Sequence, residues 1–192
     1  MPQAKSLSES DIKRVLSIIT VGRNAARNRI AFLLSWQAGM RVGEIAALRM
    51  GDVFDERGAP LREIWLNKDQ TKGKEGRVVY VNDRMARELT VYFSGLKQVQ
   101  KEKPLIPSSR GAKHFSSTTL CMLFSSIYKA AGINTSSHSG RRTFATNLNA
   151  LGIGMRTIQR LMGHKHIETT AIYCDVSEPL MRRAVNLLQK LI

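Results

Sequence analysis

The sequence predicts an α+β fold that is mainly α-helical and contains a small antiparallel sheet of two to three strands. Most of the chain places apolar residues at the intervals of one helix face, whereas residues 52–81 contain two β-rich runs, REIWL and RVVYV. With 192 residues, 43% of them hydrophobic, the chain is long enough for one domain with a buried core. Neither a repeat nor a linker interrupts it, so a single domain over 1–192 is expected.

The N-terminal part predicts two helices and a sharp turn. A capping-box pattern opens the first helix, expected near residues 8–20, and Gly22 separates it from a second helix over about 24–38. Gly39 predicts a left-handed end to that second helix, and Arg41 lies in the following turn, before a short helix. The residues of the second helix expected to face inward are Ile30, Leu33, Leu34 and Trp36.

The middle and C-terminal parts predict a hairpin followed by helices. QTKGKEG joins the two β-rich runs and supplies the glycines of a hairpin turn. The tyrosines expected to be buried or half-buried in apolar patterns are Tyr80, Tyr92 and Tyr128. Helices are then expected near residues 83–97, 116–131, 139–151, 155–162, 167–174 and 178–191. The last of these carries an apolar stripe of Met181, Ala184, Val185, Leu188 and Leu191.

The charge balance indicates a polyanionic partner. Thirty Lys and Arg against fifteen Asp and Glu leave a net charge of +15. A surface this basic attracts nucleic acid, and the release of counterions drives such binding. An anionic membrane is a weaker alternative, because the chain has neither a lipidation motif nor an apolar run of transmembrane length. The N-terminus lacks the apolar core of a signal peptide, and two distant cysteines suit a reducing compartment, so a cytoplasmic protein is expected.

Several residues suit the cleavage of a phosphodiester without a metal ion. That reaction needs a nucleophile, positive groups around the phosphorus and an acid for the departing oxygen. Arg41 and Arg141 are candidates for the positive groups, since a guanidinium matches two phosphate oxygens and stays charged. Lys72, in the predicted hairpin turn, is the candidate acid, with Lys74 as the competing choice.

Two histidines and a tyrosine extend this set. His138 precedes Arg141 by three residues, which places both on one side of the first turn of a helix. His164 follows a glycine, so it is expected in a tight turn, where an imidazole can donate to a phosphate oxygen or transfer a proton. Tyr173 closes a short polar helix, from which its hydroxyl can reach a cleft.

A metal site is a weak alternative in the same region. His164, His166, Cys174 and Asp175 offer ligand atoms, but an HxH pattern is weakly specific and no paired carboxylates lie nearby. No cofactor is therefore expected.

These motifs resemble those of the tyrosine recombinase, or phage integrase, family over nearly the whole chain, as its catalytic domain. AGMRVGEIAALRMGDV resembles the first arginine motif, a Thr-Lys pattern before a β-run resembles the hairpin lysine motif, and SHSGRR resembles the HxxR box. LMGHKHIETT resembles the second histidine box, nine residues before the tyrosine. The catalytic residues that the resemblance implies are Arg41, Lys72, His138, Arg141, His164 and Tyr173, with Glu44 as a supporting acid. Three further basic residues are expected to contact DNA, namely Lys74, Arg77 and Arg142.

The resemblance implies a covalent mechanism on double-stranded DNA. Tyr173 would attack a phosphate to form a 3′-phosphotyrosyl link, and two arginines with His164 would hold the phosphate. Lys72 would protonate the leaving oxygen and His138 would assist proton transfer, with no metal or nucleotide required. The expected outcome is strand exchange between paired sites in a DNA-bound tetramer at the nucleoid. A type IB topoisomerase-like activity, or a DNA-binding regulator with unused catalytic residues, remains as an alternative.

The chain also departs from the family pattern. The HxxR box reads HSGRR, where many members have an apolar residue in place of Gly140 and a histidine in place of Arg142. The N-terminal helical domain that closes a clamp around DNA in the family is expected to be absent. The chain is then either a shortened form or one of the single-domain members, such as the fimbrial inversion recombinases. The C-terminal helix either covers its own core or docks onto a neighbouring protomer, as such helices often do in this family.

Overall fold

The computed structural model describes residues 4–71, 75–96, 100–108, 113–173 and 178–188. In these ranges the chain forms ten α-helices and one two-stranded antiparallel sheet, which confirms the predicted mainly helical α+β class. The helices are α1 Glu9–Val21, α2 Ala25–Gln37, α3 Val42–Ala47, α4 Met50–Val53, α5 Asp83–Ser94, α6 Ser117–Ala130, α7 Ser139–Ala150, α8 Met155–Met162, α9 Ile167–Ala171 and α10 Glu178–Leu188. The strands are β1 Glu63–Leu66 and β2 Arg77–Tyr80.

Helix α2 runs through the centre of the main core. It packs against α1, α5 and α7 and buries residues on most of its circumference, as expected of a helix surrounded by other elements. Leu33 and Leu34 are fully buried as predicted, and each contributes about 2 kcal/mol by leaving water. Trp36 is only half-buried, because it stacks on Phe32 at the edge of the core beneath the guanidinium of Arg84.

The turn after α2 places the first arginine motif. Gly39 has a φ of +61°, so the predicted left-handed end of the helix is confirmed. The chain then reverses, and Arg41 stands directly before α3. The carboxylate of Glu44 accepts a hydrogen bond from the backbone nitrogen of Arg41 at 2.8 Å, which satisfies one of the free donors at the start of the helix.

The two strands form a sheet with one buried and one exposed face. Ile64 pairs with Val79 on the buried face, and successive side chains along each strand alternate between faces. Trp65 and Tyr80 therefore lie on the other face, where they are 68% and 56% exposed. The prediction that Tyr80 is at least half-buried is wrong, because the apolar pattern of RVVYV does not show which face of the strand meets the core. Tyr92 and Tyr128 are buried as predicted.

The connection between the strands is longer than the expected hairpin turn. A 3-10 turn over Lys68–Gln70 follows β1, and the connecting segment spans residues 67–76. Lys72 and Lys74 lie outside the described residues.

Helix α7 packs against α2, α8 packs on α7, and α9 packs on α8. Helix α7 approaches α2 so closely that a Cβ at Gly140 would lie 2.6 Å from the hydroxyl of Ser35, which explains the glycine at this position of the HSGRR motif. Among the described residues, α7, α8 and the segment after α9 share a small apolar cluster whose buried members are Ala145, Ile158 and Met162. Helix α10 exposes Met181, Ala184, Val185 and Leu187, so these residues do not cover the chain's own core. The side chain of Leu188 lies outside the described part of the chain, and so does the whole of Leu191.

Candidate active site

A buried carboxylate lies at the centre of the candidate site. Glu44 is 1% exposed and accepts hydrogen bonds from two guanidinium groups. Arg41 donates from Nη1 to Oε1 at 2.9 Å, and Arg77 donates from Nε to Oε1 at 3.2 Å and from Nη2 to Oε2 at 2.6 Å. Burial alone would raise the pKa of Glu44, but hydrogen bonds and charge from Arg77, with Arg141 and Arg41 nearby, lower it below its ordinary value. The carboxylate is therefore ionised and holds the guanidinium groups in place.

Arg141 is the most deeply buried cation of the site. Its side chain donates from Nη1 to the carbonyl oxygen of Gly39 and from Nη2 to that of Met162. Burial and the nearby charge of Arg41 lower the pKa of Arg141 to about 9. The guanidinium stays positive at neutral pH, in surroundings where its charge is poorly screened.

Three arginines converge on the C-terminal end of α8. Arg77 Nη1 donates to the Leu161 carbonyl at 2.8 Å, and Arg41 Nη2 donates to the Gly163 carbonyl at 3.1 Å. With the bond from Arg141 to Met162, three consecutive carbonyls each receive a different guanidinium. Cations at this end satisfy carbonyls that have no helical partner and oppose the helix dipole.

This arrangement fixes the turn that carries His164. Gly163 ends α8 with a φ of +59°, so the predicted tight turn is confirmed. Nδ1 of His164 lies 2.9 Å from the hydroxyl oxygen of Thr170. Burial, followed by the charges of the three arginines, lowers the pKa of His164 to about 4, so the imidazole is neutral at pH 7. When the hydroxyl donates to Nδ1, Nε2 carries the proton and can donate it to a bound oxygen.

Tyr173 lies directly beside this histidine. The two rings are stacked, with centroids 5.9 Å apart and planes inclined by 28°. The guanidinium of Arg142 stands over the tyrosine ring at 5.3 Å, where a cation is attracted to the ring face. Tyr173 is half-buried and rests on the small apolar cluster of α7 and α8. The structure thus brings the predicted nucleophile next to the predicted phosphate-binding groups.

A basic groove lies beside Arg41 and His164. It encloses about 1410 Å³ between β2 and α8, and Arg41 and His164 line it. The other cationic side chains in its lining are Lys68, Arg77, Arg156, Arg160 and Lys165. Of these, Arg156 and Arg160 were missed as functional candidates, although their four-residue spacing on one helix face was a readable signal.

His138 lines a different cavity from His164. It is exposed, it precedes α7, and it lines a second cavity of about 880 Å³. Arg41 lines both cavities and so connects them. Lys72, the predicted acid, lies outside the described ranges.

Within the described ranges, no three or more His, Cys, Asp and Glu side chains are grouped as metal ligands. Cys174 and Asp175, which belong to the weak metal alternative, lie outside those ranges. The helices of the same ranges are too short or too polar to cross a membrane.

Comparison with known proteins relates the chain to DNA recombinases. The model of the phage integrase family matches residues 5–179. The tyrosine recombinase XerA of Thermococcus kodakarensis is 32% identical over 97% of this chain and 64% of its own length. The tyrosine recombinase XerA of Pyrococcus horikoshii is 30% identical over 95% of this chain and 60% of its own length. The chain thus spans less than two thirds of these relatives.

Solved structures confirm the fold. A crystal structure of XerA recombinase superimposes with a TM-score of 0.73 at 26% identity, covering 97% of this chain and 63% of that one. The Tn1549 transposon integrase in complex with a circular intermediate DNA gives a TM-score of 0.74 at 16% identity, covering 97% of this chain and 66% of that one. The second likeness is one of fold alone.

Proposed function

Because the chain belongs to the phage integrase family, we propose that it cuts and rejoins DNA at specific sites through a covalent link to Tyr173. The observation that carries this proposal is the stacking of Tyr173 on His164, an imidazole that lies within the influence of the charges of Arg41 and Arg141. A phenol next to two guanidinium groups and a neutral imidazole is suited to attack on a phosphate.

The proposed reaction exchanges one phosphoester bond for another. The phenol oxygen of Tyr173 attacks the phosphorus, the bond to the 5′ oxygen breaks, and a 3′-phosphotyrosyl link forms. The phenol loses its proton and the departing oxygen gains one, which leaves a 5′-hydroxyl. Attack by a 5′-hydroxyl from another strand reverses the step, so the proposed cycle needs neither a metal ion nor ATP.

Each residue has a role that follows from its chemistry. Arg41 and Arg141 neutralise the negative charge that develops on the phosphate oxygens, and His164 donates a hydrogen bond to one of them. We assign protonation of the leaving oxygen to Lys72 and assistance in proton transfer to His138, on the strength of the family motifs.

The proposed substrate is double-stranded DNA. The basic groove and the net charge of +15 both favour a polyanion. Lys74 and Arg142 are proposed contacts to the DNA backbone beside the cleaved bond. A protein with this substrate would act at the nucleoid.

Exchange between two sites requires several copies of the chain. Helix α10 offers a contact, since Met181, Val185 and Leu187 are 52%, 65% and 52% exposed. We propose that residues 1–192 act as one catalytic domain and that α10 docks onto a neighbouring copy in a DNA-bound tetramer.

A covalent selection tests the proposal. The chain is mixed with a pool of nicked duplexes of random sequence, denatured in detergent, and analysed for DNA that stays attached. We expect attachment that is lost in Tyr173→Phe and kept in Tyr80→Phe, a control at an exposed tyrosine of β2. Attachment that persists in Tyr173→Phe would show that the nucleophile is another residue.

The same experiment separates the alternatives. DNA that binds without ever becoming attached would favour a regulator. Relaxation of a supercoiled plasmid in the absence of any exchange between selected sites would favour a topoisomerase-like activity.

A further inference from the structure

Arg77 was predicted to contact DNA, and the structure also shows its side chain bonded within the protein. The side chain is 8% exposed in its ion pair with Glu44. All three nitrogens donate within the chain, Nε and Nη2 to Glu44 and Nη1 to the Leu161 carbonyl. The two bonds to Glu44 form a fork-shaped pair, and the three bonds together use three of the five N–H donors of the guanidinium. Arg41, which is 27% exposed and reaches both cavities, is far more available to a phosphate.

We infer that Arg77 is a positioning residue, which fixes the turn of His164 and the carboxylate of Glu44 relative to the strand that follows the Lys72 segment. The effect on the rate of DNA cleavage rests on the proposed function, whereas the effect on the positions of His164 and Glu44 does not.

The position of Arg77 in the fold explains why one side chain can do this. It is the first residue of β2 and pairs with Leu66, so its side chain points to the buried face of the sheet. From there it reaches Glu44, 33 residues away in sequence, and Leu161, 84 residues away. Three segments remote in the chain, β2, the start of α3 and the end of α8, therefore meet at one guanidinium.

The packing of Gly163 supports the inference independently of hydrogen bonds. A Cβ at Gly163 would lie 2.5 Å from Cδ of Arg77 and 3.2 Å from Nε. The side chain of Arg77 thus lies against the bare backbone of the turn before His164. A glycine is needed there both for its positive φ and for this contact.

Loss of Arg77 should disturb catalysis more than binding. Glu44 would keep Arg41 as its partner, and that guanidinium would be drawn towards an under-compensated buried charge. The Leu161 carbonyl would lose its donor, so the turn of His164 would be less fixed. Both changes misplace groups that act on the phosphate, and a shift of about 1 Å in such groups costs on the order of 100-fold in rate.

The test compares Arg77→Gln with Arg160→Gln, a matched change at a groove-lining arginine that is exposed. The measurements are the rate of adduct formation at saturating DNA and the salt dependence of duplex binding, both with a duplex selected as above. For Arg77→Gln we expect a rate lower by about 100-fold, with the salt slope unchanged. Arg160→Gln, which removes an exposed guanidinium of the groove, should instead make the slope smaller by about one.

Two further variants keep the inference falsifiable. Arg77→Lys retains the charge but cannot bridge both Glu44 and the carbonyl, so we expect it to stay slow. Gly163→Ala should resemble Arg77→Gln, and the double variant should be little worse than either single one. A normal rate in Arg77→Lys, or a salt slope reduced by about one in Arg77→Gln, would overturn the inference.

A readout without DNA separates this inference from the proposed function. Of the four histidine rings in the chain, only that of His164 should shift in the nitrogen-15 spectra of Arg77→Gln and of Arg77→Lys, which keeps the charge, and none should shift in Arg160→Gln. If wild type forms no adduct but the His164 signal responds in this way, the positioning role stands and the proposed function fails. An unchanged His164 signal in a folded Arg77→Gln would contradict the positioning role.

Discussion

At the scale of single residues, Gly39 and Gly132 distinguish two costs of adding a side chain. One is the strain of a left-handed backbone, and the other is a clash with neighbouring atoms. Both have a left-handed backbone, with φ of +61° and +71°. A Cβ at Gly39 would lie 2.5 Å from Cδ1 of Phe144, whereas nothing lies within 4 Å of one at Gly132. The same substitution therefore tests two different costs.

We predict that Gly132→Ala lowers the free energy of unfolding by about 1 kcal/mol, the cost of a left-handed alanine. Gly39→Ala should lower it by about 3 kcal/mol, because displacement of the Phe144 ring adds an overpacking cost. Urea unfolding of both variants measures the difference. Equal losses would mean that the ring moves freely, and that the close approach of Gly39 to α7 has no energetic weight.

The spacing of residues in the sequence predicted which side chains belong to the candidate site, but not which hydrogen bonds they form with one another. Arg41, Arg141 and His164 were identified from local motifs, because each stands at a turn or helix end that the sequence marks with glycine or a capping pattern. The bond of Arg77 to Glu44 could not be predicted, since it depends on the register of β2 against β1. RVVYV is apolar on both faces, so its buried face is chosen by tertiary packing.

At the scale of elements, the helices and the antiparallel pairing of the two strands were predicted, but the 3-10 turn between the strands was not. The first helix was expected near 8–20 and lies at Glu9–Val21, because helical periodicity and caps are local properties. The segment after β1 instead forms a 3-10 turn, in which the side chain of Gln70 accepts from the backbone of Asn67 and donates to Asp52. Asp52, the partner in the second of these bonds, belongs to α4, so the glycines that predicted the hairpin could not indicate this contact.

Helix α10 carries a prediction of its own. Val185 is 65% exposed on α10, and Val91 is 72% exposed on α5. Glutamate at either position should change the free energy of unfolding by less than about 0.5 kcal/mol, because neither valine is buried. Val185→Glu alone should weaken multi-protomer complexes on DNA, measured by native gel mobility. An equal loss of complexes in Val91→Glu would remove the special role of α10.

For the whole molecule, the burial of His164 beside three arginines predicts that the free energy of unfolding falls in mild acid. The pKa of His164 is about 4 in the folded chain and is ordinarily near 6.5, so the unfolded chain binds a proton that the folded chain does not. The free energy of unfolding therefore has its full value above pH 6.5, where His164 is neutral in both states, and it decreases as the pH falls towards 4. Further protonation of a chain that already carries +15 acts in the same direction.

We therefore expect the urea midpoint to fall between pH 7 and pH 5 in wild type, and to fall less in His164→Gln. The carboxylates with lowered pKa values, such as Glu44 and Glu88, lose their stabilising ionisation only at lower pH, so they do not obscure this interval. Parallel curves for the two proteins would show that the imidazole is not held neutral by its surroundings.

The buried apolar side chains form one large and one small cluster, and the two clusters are expected to differ in the free energy at which they open. Most buried side chains belong to the core around α2, while the cluster beneath Tyr173 has three buried residues in the described part of the chain. A region with so few apolar contacts can open at a free energy well below that of global unfolding. The segment from α8 to Tyr173 is therefore expected to open and re-form at a lower free energy than the helices packed around α2.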